Sequence, residues 1–497
     1  MQPSRSWTRA LALLVAVATL GTLGTAAAIA ASPSPAANLA PTPDDPSCTR
    51  AALRETVQGR VPLADYASGR AARGYACNAT QVSHVGSEAN GTGASGGFRV
   101  YRYVDAKGQV CAFYDSTLLF PANAQVLAHN ATNATNELPG VWVLDMTHPA
   151  HPVHTATLST PAMLTPHESL SLNVKRGLLG AVMGNPLTAP GQFDLYEVRQ
   201  DCRHPVLAST LPVGALGHEG SFSPDGRTYY ASSTAGHTLT AIDVSNPALP
   251  VIVWSSLNWM VHGLNVSDDG NTLYFADLGR EGIDLPQAGS ATEGLTVLDV
   301  SQIQKRVANP QVKVISHLTW SIVSIPQTAL PITEGGHPYL VEVDEYAIGN
   351  SVGAARIIDI ADARHPQVVS NMRLAVDNAA HRNDGSQQND PNATNPLQGY
   401  AGHYCAVPQR TDPKIVACSF ILSGLRVFDI SNLQHPVEIA YFNRPATVTE
   451  AGTIVVAGPQ GAYAMSQPAF DVANHQIWYS DGNSGFYAVQ IDPKVWP

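Results

Sequence analysis

Charge is scarce in this chain, and positive charge is the scarcest: Asp, Glu, Lys and Arg make up 13% of 497 residues, with 28 Lys+Arg against 39 Asp+Glu and a formal net charge of −11. Recognition of a phosphate backbone needs clustered cations, so this balance argues against nucleic-acid binding. It gives no reason to expect an anionic membrane surface either. No long apolar run follows the first thirty residues, so the remainder offers no candidate membrane span. No C-x-x-C occurs, which speaks against a zinc knuckle or a thioredoxin-type redox site. No G-x-S-x-G, P-loop or Rossmann fingerprint stands out, which argues against the common hydrolase, NTPase and dinucleotide-dependent classes. Nor does any long segment repeat its apolar residues every 3.6 positions, so helices are not the frame.

What is present begins with an export signal. Arg5 and Arg9 precede an apolar run that ends in the small-residue pattern Ala28, Ile29, Ala30, and this arrangement predicts a secretory signal peptide over residues 1–31. A Pro/Ala-rich leader follows over 32–47, and a single domain is expected over 48–497. The expected location is therefore secreted, periplasmic or cell-surface, with no stable membrane insertion after cleavage. Six cysteines in an exported chain can pair completely. Cys405 and Cys418 flank the turn-like "PQRTDP" and can staple adjacent strands, whereas the pairing of Cys48, Cys77, Cys111 and Cys202 stays open. N-x-T sequons stand at Asn78, Asn130, Asn133 and Asn392.

The mature chain repeats itself. "VWVLDMTHPAHPV", "FDLYEVRQDCRHPV", "LTAIDVSNPALPV", "LTVLDVSQIQKRVANPQV", "ARIIDIADARHPQV" and "LRVFDISNLQHPVEI" each run from an alternating apolar strand, through an acidic residue, to a Pro-containing turn and a second strand. A weaker copy, "FYAVQIDP", closes the chain. The interval of roughly 46 to 70 residues is that of a propeller blade rather than of a helical solenoid. One unit parses fully: "HEGSFSPDG" as the inner strand and its turn, "RTYYASSTAG" as the second strand, "TLTAIDVSNP" as the third, "VIVWSSL" as the outer one. Repeating the parse predicts an all-β, seven-bladed β-propeller of four-stranded antiparallel blades. The last blade lacks an outer strand of its own, and residues 79–87, "ATQVSHVGS", are expected to supply it and so close the ring.

The third-strand copies "AIDV", "VLDV", "IIDI" and "VFDI" resemble the LVIVD-repeat family of exported β-propeller proteins. "GYACN", "CAFYDS", "GHEGSFSPDGRTYY", "HYCAV" and "IAYFN" are also similar to stretches of its members, so the resemblance covers nearly the whole mature chain. It implies a propeller fold and an extracytoplasmic location, and little chemistry.

Candidate chemistry lies in the inner strands. His167, His218, His262 and His403 each stand at the start of the innermost strand of a blade, and equivalent positions in a radial array share one height around the axis. These imidazoles are expected to ring one mouth of the channel, where they suit a divalent transition metal (Zn, Cu or Fe). Glu168 and Glu219 follow two of the histidines and, on a regular strand, point to its other face, as supporting acceptors or a general base. Gln327 and Gln467 occupy comparable positions in two further blades as polar channel contacts. The alternative is that each histidine only hydrogen-bonds the loop of the neighbouring blade.

Other features carry less. The recurring Asp145, Asp243, Asp299, Asp359 and Asp429 sit in different blades and cannot share an ion, so they are read as fixing their turns. "EVDEY", with Glu342, Asp344 and Glu345, reads as polar residues near a blade surface rather than as a hydrolytic pair. Residues 379–399 read as a long recognition loop on the histidine face, where a protein partner could also dock. Two functions remain: a metal-dependent oxidoreductase, lyase or hydrolase acting on a small extracytoplasmic substrate, toward which the convergent histidines lean, or a non-catalytic ligand- or protein-binding propeller. Fold alone does not separate them.

Overall fold

The inner, second, third and outer strands of each repeat pair antiparallel in chain order, which makes every repeat a separate sheet. The computed structural model describes residues 63–86, 96–116, 139–184, 191–212, 217–279 except 235, 293–320, 324–377 except 346, 349 and 350, 400–445, and 463–497 except 483. The expected signal and leader segments, the 379–399 loop and the sequons at 130, 133 and 392 lie outside these residues. Seven sheets form the ring, with inner strands at Val100–Val104, Ser171–Asn173, Gly220–Phe222, Val261–Val266, Ile325–Glu334, Gly402–Ala406 and Ala469–Asp471. Helix among the described residues is confined to short pieces such as Leu63–Ser68 and Ser301–Gln304.

Alternation along the strands explains the stacking. Each sheet is apolar on both faces, and the core clusters join neighbouring blades: Phe113, Val143, Leu179 and Tyr196 pack between blades 1 and 2, and Ala417, Val427, Ile477 and Val489 between blades 6 and 7. Trp142 and Trp478 are buried where blade 7 meets blade 1. In blades 3, 6 and 7 a second-strand serine ties the blade to the chain of the next one, Ser232 donating to the His262 carbonyl at 3.0 Å, Ser419 to that of Ser466 at 2.6 Å and Ser480 to that of Gly97 at 2.9 Å.

The repeated aspartates do what their position before a turn suggests. Asp145, Asp243, Asp299, Asp359 and Asp429 each accept the backbone N–H two residues ahead, at 2.8–2.9 Å. In the same five blades the third and outer strands slip register at one equivalent place, as between Ala241 and Ile242 or Val427 and Phe428. A bulge there raises the local twist, which a blade needs to fan outward from the axis.

The ring closes as the sequence suggests: Ala79–Val85 pairs with Gly485–Ile491 and becomes the outer strand of blade 7. One strand was not foreseen. Tyr75–Cys77 adds a fifth strand to blade 6 beside Val437–Asn443, so the N-terminal segment grips two blades. Two disulfides between described residues brace the ring: Cys405 faces Cys418 across adjacent strands, with Cα atoms 4.0 Å apart, and Cys111 joins Cys202 from blade 1 to blade 2. Asn78, between the two N-terminal strands, donates to the Ile439 carbonyl at 2.8 Å.

Candidate metal centre

The inner strands bring His167, His218, His262 and His403 to one end of the channel. Ring centroids of His167 and His218 lie 4.5 Å apart, and those of His218 and His262 5.0 Å apart. Phe98 of blade 1 packs on His167 at 4.4 Å and on His403 at 5.5 Å. Four histidines from blades 2, 3, 4 and 6 thus share one cluster.

Two histidines use their nitrogens for different tasks. His262 Nδ1 lies 2.7 Å from the Pro326 carbonyl of blade 5, and His403 Nδ1 lies 2.5 Å from the Met465 carbonyl at the start of blade 7. A nitrogen held on a carbonyl must carry the proton, so in each neutral ring the Nε2 lone pair faces the channel. The bond to a neighbouring blade and the convergence on a centre are therefore both present, on opposite nitrogens.

Glu168 occupies the middle, which corrects the expectation that it turns away. Its carboxylate lies 3.2 Å from His218 Nε2, 3.5 Å from His262 Nε2 and 3.4 Å from His403 Nε2. The alternation rule fails because the inner strand of blade 2 starts only at Ser171, and His167 ahead of it has a left-handed φ of 50°. That conformation is uncommon outside glycine and is typical of strained functional positions. Glu219 behaves as expected: it points to the layer beneath, where it meets Arg99.

Glu345 completes the cluster. Its carboxylate lies 3.2 Å from His403 Nε2 and 3.5 Å from His262 Nε2. It is the last residue of the second strand of blade 5, whose Glu342 and Asp344 instead bind the buried Arg356 on the opposite face. This corrects the expectation that the three acids are polar residues near a blade surface: all are buried.

Gln327 and Gln467 lie one layer below the histidines, aligned with the residues that follow them. Gln467 accepts from Arg99, and Gln327 Nε2 donates to Tyr404 Oη at 2.7 Å. Gln467 borders the cavity at the far end of the channel, Gln327 is fully buried, and both are engaged with protein groups.

The electrostatics follow from burial. Burial, with His218 adding to it, holds His167 down at about 3, and burial holds His262 at about 4 against the pull of Glu168. At His403 burial is outweighed by Glu168 and Glu345, and its pKa rises to about 9. Burial pushes Glu345 up to about 7, while Glu168 stays well below the usual carboxylate range despite burial because His218 and His403 face it. Several buried atoms at this centre still lack a well-formed hydrogen bond: His167 Nδ1, His218 Nε2, His403 Nε2 and Glu168 Oε2. Ligand atoms of His167, Glu168 and His218 all fall within 4.8 Å of one another, a spacing that a single ion spans.

Seven radial four-stranded sheets closed by a strand from the other end of the chain define a β-propeller. More particularly, the family model of the LVIVD repeat matches residues 234–257, the third strand of blade 3 and its flanks, so this propeller carries an LVIVD repeat. Among solved structures it is similar to the periplasmic gluconolactonase of Pseudomonas aeruginosa (13% identity, 72% of this chain and 94% of that one, TM-score 0.46). It is also similar to Kuenenia stuttgartiensis hydrazine synthase (11%, 79% and 95%, 0.46) and to the β-propeller domain of Myceliophteria thermophila Cps50 (11%, 80% and 97%, 0.46). No curated protein sequence matches the chain.

Proposed function

We propose that this propeller is an enzyme that holds one divalent transition metal (Zn, Cu or Fe) between its four histidines and acts on a small extracytoplasmic molecule, as an oxidoreductase, lyase or hydrolase. The observation that carries the reading is the aim of His262 and His403: main-chain carbonyls fix Nδ1–H on each, and both Nε2 atoms point at the same two carboxylates. A bound ion would satisfy the buried atoms that lack a well-formed hydrogen bond. The donors are imidazole nitrogen and carboxylate oxygen without thiolate, a set that suits Zn, Cu or Fe.

The donors also exceed the four that a closed tetrahedral site needs. Such an ion would polarise a substrate or activate water. Glu345, 3.2 Å from His403 Nε2, is placed to exchange a proton with a molecule at the centre. Access is on the side of His218, whose side chain is 13% exposed, against 4% for His262 and 1% for His403. The disulfides Cys111–Cys202 and Cys405–Cys418 fit an exported chain, and no helix among the described residues is long and apolar enough to cross a membrane.

Elemental analysis of the untagged protein tests the reading. About one transition-metal ion per chain is expected, falling to background in His262→Ala and His403→Ala. A wild type that stays free of metal after reconstitution with Zn(II), Fe(II) and Cu(II) would rule it out.

A further inference from the structure

Directly beneath the histidines, Arg99 of blade 1 sits with its guanidinium in the channel, 4% exposed. Its Nε donates to the Glu168 carbonyl at 3.0 Å, Nη2 binds the Glu219 carboxylate and Nη1 the Gln467 side-chain oxygen. The guanidinium also lies 4.2 Å over the Tyr404 ring. Glu168, Glu219 and Tyr404 are the residues that immediately follow His167, His218 and His403. One side chain therefore holds the chain next to three of the four histidines, from three different blades.

We propose that Arg99 is a positioning residue of the histidine–glutamate site: it sets the mutual register of the inner strands, and through them the aim of the histidines and of Glu168. This rests on the metal-site reading. A guanidinium suits the task because its rigid fork reaches several acceptors in fixed directions, which the single ammonium of lysine cannot. Stability alone gives no reason for it, since a buried ion pair is often no more stabilising than an apolar plug of equal volume. Placement does give one. Tyr404 is itself bound by Gln327, and neighbouring inner strands meet in direct backbone bridges at Arg99–Gln467 and Glu168–Glu219, so the layer links blades 1, 2, 3, 5, 6 and 7. The walls of the 610 Å³ cavity at the far end of the channel include Arg99 and Gln467 but none of the four histidines. Arg99 thus also floors the site.

Full-length Arg99→Met, Arg99→Lys and Gln467→Met proteins, loaded with Co(II), provide the test. The readouts are the visible absorption bands and the Co(II) Kd, with circular dichroism and thermal melting reporting the fold. Arg99→Met is expected to fold, to bind Co(II) about 10- to 100-fold more weakly than wild type and to shift the bands. Arg99→Lys should recover part of the affinity without restoring the bands, and Gln467→Met should show a smaller loss. Wild-type bands and Kd in a folded Arg99→Met would overturn the proposal. So would an unfolded Arg99→Met accompanied by an unchanged Gln467→Met, because Arg99 would then be structural only. A wild type that takes up no Co(II) would overturn the metal reading, and this one with it.

Discussion

Glu345 and His403 approach to 3.2 Å although one ends the second strand of blade 5 and the other opens the first strand of blade 6. The neighbours of Glu345 make a separate arrangement: Arg356 binds Glu342 and Asp344 and stacks at 4.1 Å on Trp320. Opposite consequences follow for the two faces of one strand. Glu345→Gln should leave the denaturation midpoint nearly unchanged and lower retained metal about 10-fold or more. Arg356→Met strands two buried carboxylates and should cost about 3–5 kcal/mol of stability. Equal loss of metal in both variants, at equal stability, would contradict this division.

Gly263, directly after His262, tests the packing under the site. A Cβ there would fall on the Gln327 carbonyl oxygen and on the Glu219 carboxylate. Gly263→Ala should therefore cost about 1–3 kcal/mol in chemical denaturation through overpacking alone. A change within about 0.5 kcal/mol would mean that the layer yields more easily than its contacts suggest.

Cys111–Cys202 and Cys405–Cys418 span 91 and 13 residues of sequence. On the chain-entropy account, removing Cys111–Cys202 should cost about 4.6 kcal/mol and removing Cys405–Cys418 about 3 kcal/mol. Paired alanine variants compared by guanidinium unfolding give the order directly, and the reverse order would argue that native-state packing dominates.

Acid sensitivity should come partly from the turn aspartates. At Asp299 the hydrogen bonds from Ser301 pull the carboxyl below its ordinary 3.8. At Asp145 and Asp243 burial acts in the other direction, and the bonds from Thr147 and Ser245 together with Arg203 and Arg306 outweigh it. A folded-state pKa below the unfolded one contributes stability above the unfolded value, and that stability is lost as pH falls through the folded value. Asp243→Asn/Asp299→Asn should therefore flatten the loss of stability below about pH 4. An acid limb as steep as that of wild type would count against the aspartates.

The blades were readable because each repeat states its own grammar: alternation, an aspartate, a Pro turn. His167, His218, His262 and His403 followed from that grammar, since position within a blade fixes height on the axis. Glu168 did not, because alternation assumes a strand and His167 precedes one in a left-handed conformation. Glu345 was hidden because second strands ordinarily stand behind the inner ones; the signal available was three acids in the last four residues of the strand. Arg99 was missed because "FRVYRYV" reads as plain alternation. Its trace lies just upstream, in Gly96 and Gly97, where a Cβ would collide with Ser480 and with Asp115.

Ring closure also governs timing. Val85 pairs with Phe486, and His84 Nε2 meets the Ser484 carbonyl at 2.6 Å across 400 residues of sequence. Until the final strands exist, blade 7 has no sheet to offer Ala79–Val85, and an open ring presents bare edges to any other chain. Contacts of such separation form slowly and last. The strap that carries Arg99 is anchored beside blade 7, through the Arg99–Gln467 bridge, so the layer under the histidines is finished only when the circle is. On the metal reading proposed above, the ion would then be drawn from the surroundings in which the C-terminus folds, not from those in which the chain is begun.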